Sequence, residues 1–145
     1  MATFPSKDWF DTVRAVFNAD ESFQGGGGGA CNALVGIKVG AQSFLVTFEG
    51  AECSAAQKVQ DSDLGAADFV LQMAYPDWKE MVQNIAHNGR ADLHHTLNTL
   101  DLGRPDGLSH SLHGDQYRED LFFRYNQTMQ YFFDASARVA TEFAE

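Results

Sequence analysis

Five histidines, His87, His94, His95, His110 and His113, are the residues of this chain best suited to metal or proton chemistry. His110 and His113 stand three apart with Asp115 close behind, so imidazole and carboxylate groups share one short segment. Catalytic zinc sites fix such a pair on a helix and add a glutamate at a set offset. Here the pair falls in a polar loop without that glutamate, so surface histidines are the expectation and no metal is assigned. His94 and His95 are adjacent and point to different sides of either a helix or a strand, so they do not chelate together. No G-x-S-x-G nucleophile motif is present, and neither Cys31 nor Cys53 sits in an activating context. Acid–base pairing stays open, with Asp92, His94, His95, Tyr125 and Asp134 as candidates, because small isomerases use such pairs in apolar cavities. Residue order alone does not bring these five together, and no catalytic residue is assigned.

The run Gly25–Gly29 invites comparison with a phosphate-cradling loop. Such a loop needs a helix start and a Lys or Ser/Thr directly after it. Ala30, Cys31, Asn32 and then a strand-like run follow instead, so the segment reads as a flexible linker. No nucleotide cofactor is expected.

The elements that must position any site follow from periodicity. Ser6 can cap a first helix in which Trp9, Phe10, Val13, Val16 and Phe17 recur at helical spacing as far as Asn18. Three strands follow in close succession: Ala33–Val39, Ser43–Glu49 and Glu52–Gln60. Phe44, Val46 and Phe48 alternate on one face of the second and should lie under helices. Ser43, Thr47 and Glu49 should face more open surroundings. Short turns at Gly40-Ala41 and Glu49-Gly50 indicate antiparallel hairpins. Asp61–Ala66 is turn-like and Asp68–Ala74 is a fourth strand. Tyr75-Pro76-Asp77 starts a helix whose stripe is Trp78, Met81, Val82 and Ile85, and Asn88-Gly89 stops it.

Asp92–Leu100 reads as a short helix or strand with Leu93, Leu97 and Leu100 as its apolar set, and Gly103–Gly114 as a polar loop. A long helix over about Tyr117–Glu142 carries Phe122, Tyr125, Met129, Phe132, Phe133, Ser136 and Ala140 on one stripe. Phe123 and Tyr131 lie off that stripe. Its aromatic face therefore has three readings that do not exclude one another: plain core, wall of a ligand cavity, or seam of a homodimer.

The order is helix, four strands, then helices, which makes an α+β fold with a mostly antiparallel sheet. The 145 residues, 44% of them hydrophobic, suit one domain with one substantial core. Ten basic against twenty acidic residues give a net charge of −10, which repels nucleic acid and anionic membrane surfaces. No apolar run approaches 18 residues, so no membrane span is expected. The N-terminal segment lacks the apolar core of a signal peptide, and a reducing cytoplasm with both thiols free is the expected setting.

The stretch Ala66–Ile85, AADFVLQMAYPDWKEMVQNI, resembles the sterol carrier protein family, and Asn18–Phe23 is similar to its bacterial members. In that family an "AD, then alternating apolar" strand runs into a short helix with an acidic start. The resemblance covers about 60% of the chain. After Gly89 the family continues with a short helix, a G-K-L-x-V-x-G-D strand and a final helix. Here Asp92–Leu102 and a polar loop stand in their place. The resemblance implies one sterol-carrier-like domain over 1–145: a four- or five-stranded sheet with helices on one face around an apolar cavity, and a long C-terminal helix. It also implies that the stripes Trp78, Met81, Ile85 and Phe122, Tyr125, Met129, Phe132 face a common space and hold a lipid, sterol or similar ligand. Two alternatives stay open: an isomerase, hydratase or hydrolase of a cyclic hydrophobic metabolite in that cavity, or a homodimerising interaction module.

Overall fold

Helix α1 (Lys7–Ala19) starts where the sequence places it. Ser6 takes an extended backbone and its hydroxyl accepts a hydrogen bond from Trp9 N–H at 3.1 Å, which satisfies one of the helix's free donors. The computed structural model describes residues 2–20, 32–50, 52–102, 109–110 and 116–143, the side chains of 98, 102, 109, 110, 116–120, 123 and 124 excepted. The expectations for Gly25–Gly29, Cys31, the 103–108 loop, the His113 and Asp115 pairing and the Phe123 side chain therefore lie outside the described residues.

Strands β2 (Ala33–Val39), β3 (Gln42–Glu49) and β4 (Glu52–Val59) form the two expected hairpins. Gly40 and Gly50 supply the positive φ at the turns, +60° and +63°. From β4 the chain crosses the outer face through a 3-10 turn, Asp61–Ala66, before entering β5 (Phe69–Met73). Leu64 of that turn packs with Leu45, Val59 and Val70 on the outer face. The crossing delivers β5 to the far side of β2, where it pairs in parallel, a pairing that requires such a crossover rather than a tight turn. The sheet is thus mixed, in the order β4-β3-β2-β5, with a two-residue strand β6 (Ser109–His110) antiparallel at the β5 edge. Among the described strands the sheet is mostly antiparallel, as expected, with β2–β5 as its parallel pairing. Asp68 starts the parallel pair: its N–H donates to Leu34 O at 2.7 Å and its Oδ2 accepts from Leu34 N–H at 2.9 Å.

Phe44, Val46 and Phe48 are buried on the helix side, as their alternation requires. Phe44 meets Phe10 of α1, and Phe48 meets Phe17. Ser43 departs from expectation. The crossover covers the outer face at this end, so Ser43 is buried there with its hydroxyl 3.4 Å from Asp61 Oδ1.

Helix α2 (Tyr75–Asn88) has Pro76 in its first turn and ends at Gly89, whose φ of +82° lets its N–H reach Ile85 O at 2.8 Å. Trp78 Nε1 donates to Lys38 O at 2.8 Å, pinning α2 to β2. Helix α3 (Leu97–Leu102) is short, and α4 (Gln116–Asp134) is the longest helix. The predicted run to Glu142 is too long. After Asp134 the chain tightens into a 3-10 turn, Ala135–Arg138, and then β7 (Thr141–Phe143) pairs in parallel with β1 (Ala2–Phe4). Helix-forming residues at 135–140 are overridden by tertiary pairing. Ala2 N–H donates to Ala140 O at 2.9 Å, and Trp9 Nε1 donates to Thr141 Oγ1 at 3.0 Å. Among the described residues no helix is long and apolar enough to cross a membrane.

Candidate functional site

Both stripes belong to the core. Trp78, Met81 and Ile85 of α2 and Phe122, Met129 and Phe132 of α4 all lie in one continuous apolar cluster, each 0–1% exposed. Tyr125 is half-buried and packs against its margin. Ring contacts link the layer: Trp78 to Phe133 at 5.4 Å, Phe132 to Phe48 at 5.5 Å, and Phe69 to Phe122 at 6.1 Å between centroids. The aromatic pairs are mostly tilted or edge-on, the arrangements the ring quadrupole favours. Ser136, 1% exposed in the turn after α4, has a buried hydroxyl without a hydrogen-bond partner, and the buried Oδ1 of Asn126 likewise has none. A buried, unpaired hydroxyl is uncommon, since such groups normally find protein or water.

An open cleft lies elsewhere. A cleft of about 570 Å³ opens between the end of α2, the 88–96 segment and the outer side of α4. Arg90, Asp92, Leu93 and Thr96 form one wall, and Gln127, Gln130, Tyr131 and Asp134 the other. A four-residue spacing puts Gln130 and Asp134 on the same side of α4, and both clamp the facing segment. Asp134 Oδ1 accepts from Ala91 N–H at 3.1 Å and from Gln130 Nε2 at 3.0 Å, while Gln130 Oε1 accepts from Leu97 N–H at 2.7 Å. Asp92 is held as firmly. Its Oδ1 lies 2.7 Å from His95 Nδ1 and accepts from His94 N–H at 2.9 Å, and its Oδ2 accepts from Asn84 Nδ2 at 2.9 Å.

The two carboxyls are pushed in opposite directions. The hydrogen bond with His95, helped by Asn84 and His94 N–H, holds the Asp92 carboxyl down to about 2. Burial pushes the Asp134 carboxyl up, against the pull of Ala91 N–H, Gln130 and the Arg90 charge. A carboxyl raised in the folded state adds no penalty below its unfolded value and weakens the fold as pH rises through its folded value. Asparagine keeps an oxygen for Ala91 N–H and Gln130 but carries no charge. Asp134→Asn is therefore expected to raise the melting temperature at pH 7, with the gain vanishing below the ordinary carboxylate value of 3.8. Thermal unfolding of both proteins from pH 3 to 8 checks this, and a loss at pH 7 would show that Asp134 stabilises the fold as an anion.

Of the acid–base candidates, Asp92 and Asp134 share this cleft and His95 braces Asp92. His94 is exposed beside them, and Tyr125 is not on the cleft wall. Gln130 and Leu93 were not legible as cleft residues. Leu93 was expected to turn inward with Leu97 and Leu100, but the Asp92 side chain caps His94 N–H in a tight turn and leaves Leu93 84% exposed. Leu97 is buried and Leu100 packs on the core, as expected. A buried glutamine and aspartate one turn apart on an otherwise aromatic helix were the available signal. Among the described residues no three His, Cys, Asp or Glu side chains are grouped to hold a metal ion. No protein-family model matches the chain, and no match is found among the curated proteins or the solved structures.

Proposed function

We propose that the protein binds a hydrophobic small molecule, a lipid, sterol or similar, between its sheet and its helices, as a carrier or binding protein. The observation that carries the reading is that both predicted stripes belong to one continuous apolar cluster, with the unpaired, buried hydroxyl of Ser136 in the turn directly after α4. Ala135 and Ala137 on either side of Ser136 pack on that layer. A ligand with an apolar body and one polar end would fill such a layer and satisfy that hydroxyl. Met81 and Met129 add side chains that adapt to varied apolar shapes.

The element order supports the reading as well. Helix α3, strand β6 and helix α4 follow α2, which is the order the sterol carrier resemblance implies. Burying about 300 Å² of apolar ligand surface would yield roughly 7 kcal/mol before the costs of association. An enzyme working in the same interior would need titratable groups inside it, and the carboxyls that converge do so at the outer cleft. Binding is therefore the better-supported reading.

Met129→Trp tests it, because Met129 is 1% exposed in the C-terminal half of α4. If the layer opens to take a ligand, the larger ring occupies that space. Uptake of a fluorescent fatty acid or sterol should then fall about tenfold or more, and stability should change by less than about 1 kcal/mol. If the layer is solid core, the ring overpacks it and costs about 1–3 kcal/mol. That cost, together with no measurable lipid binding by the parent protein, overturns the proposal. Native mass spectrometry of the purified parent protein reports any co-purified ligand.

A further inference from the structure

We propose that the outer cleft between α4 and the 88–96 segment binds a small ammonium-bearing molecule with an apolar body, its ammonium on Asp134 and its body against Leu93. This site is separate from the interior layer and does not depend on it. Asp134 is 8% exposed and lines the cleft. Its Oδ1 takes both of its hydrogen bonds, leaving Oδ2 without a partner among the described residues. No cationic side chain stands within ion-pair distance of it among those residues. Arg90 lines the same cleft and its charge offsets part of the cost, but a buried carboxylate without a direct ion pair stays costly, and a ligand cation supplies that closer contact.

Three further observations fix the ligand's class. Leu93 is 84% exposed and is the large hydrophobic side chain that stands out into solvent among the described residues. It sits on the cleft wall beside Ala91, with the Tyr131 ring opposite, and these offer apolar surface to a ligand body. A bare metal ion suits the cleft poorly, since no set of three metal-ligating side chains is grouped among the described residues. Two carboxylates, Asp92 and Asp134, stand against one guanidinium, Arg90, on the cleft. Asp92 adds a second carboxylate to the wall, and the chain's net charge of −10 draws cations in. The titratable or charged groups on the cleft are Arg90, Asp92, Tyr131 and Asp134. Arg90 is exposed, and its charge acts on Asp134 without an ion pair within 4 Å among the described residues. Burial raises the Asp134 carboxyl, and an ammonium beside it would draw it down again.

The experiment titrates phenethylamine, and its neutral counterpart 2-phenylethanol, into the full chain at low salt by calorimetry. The amine is expected to bind and the alcohol to bind at least about tenfold more weakly, as the loss of a charge-assisted hydrogen bond predicts. Asp134→Asn should weaken amine binding by a similar factor and leave alcohol binding unchanged. Leu93→Ser should weaken both ligands several-fold. It changes an exposed residue, so it keeps the test decisive should the Asp134 variant misfold. Affinity for the amine should also fall as pH drops and Asp134 takes up a proton. Equal binding of amine and alcohol, no binding of either, or an Asp134→Asn or Leu93→Ser variant that binds the amine as the parent does would overturn the proposal.

Discussion

Phe132→Ala is expected to cost about 3–5 kcal/mol, the range for removing a fully buried phenylalanine. Phe132 is 1% exposed, and its ring meets Phe10 and Phe17 of α1 at 6.4 and 5.8 Å, Phe48 of β3 at 5.5 Å and Phe133 at 5.4 Å between centroids. It joins three elements far apart in the chain, so no local rearrangement fills the space that alanine leaves. Domains of this kind are stable by about 5–15 kcal/mol, so one substitution would remove a large share. Urea unfolding measures the effect, read as a shift in midpoint at constant slope. Leu93→Ala, at an 84% exposed position, is the control and should stay within about 0.5 kcal/mol. A loss below about 1.5 kcal/mol for Phe132→Ala would mean that the ring does not stand in tightly packed surroundings.

Much of this layer was legible because its signals are local and periodic. Trp9, Phe10, Val13 and Phe17 recur at helical spacing behind a serine cap, and Phe44, Val46 and Phe48 alternate between two glycine turns. Each pattern is set by a few neighbouring residues, and each element came out within one or two residues of its expected bounds. What escaped depends on distant parts of the chain. Thr141–Phe143 reads as the tail of a helix until β1, some 140 residues earlier, offers it a partner. Ser43 reads as open until the Asp61–Ala66 turn folds over it. Strand β6 has only two residues in a polar loop, too short to show any alternation. The same distinction applies to the sites. The two apolar stripes could be read from spacing, whereas the cleft needs Gln130 and Asp134 to meet backbone N–H groups of a segment more than thirty residues away.

The parallel contact of β2 with β5 is the feature that local reading could not supply, and Gly36 tests it. Gly36 lies opposite Val70 in that pairing. A Cβ added there would stand 2.8 Å from Val70 Cγ2 and 3.1 Å from Leu64 Cδ2, closer than packed carbons come. Its φ is not among the positive ones, so the backbone itself accepts alanine. In a strand free of such crowding, glycine to alanine should gain about 0.5–1 kcal/mol. Here the crowding dominates, and Gly36→Ala is expected to cost about 1–3 kcal/mol. The sign of the effect therefore reports the register. Val70→Ala removes the crowding methyl and leaves a small gap of its own, so it should be destabilising alone. Combined, the two substitutions should cost less than their sum, with a coupling of about 0.5–3 kcal/mol, because each relieves what the other creates. Urea unfolding of the two single variants and the double variant measures this cycle. Strict additivity, or a gain in stability from Gly36→Ala alone, would mean that Gly36 and Val70 do not face each other, and that β5 pairs with β2 in another register.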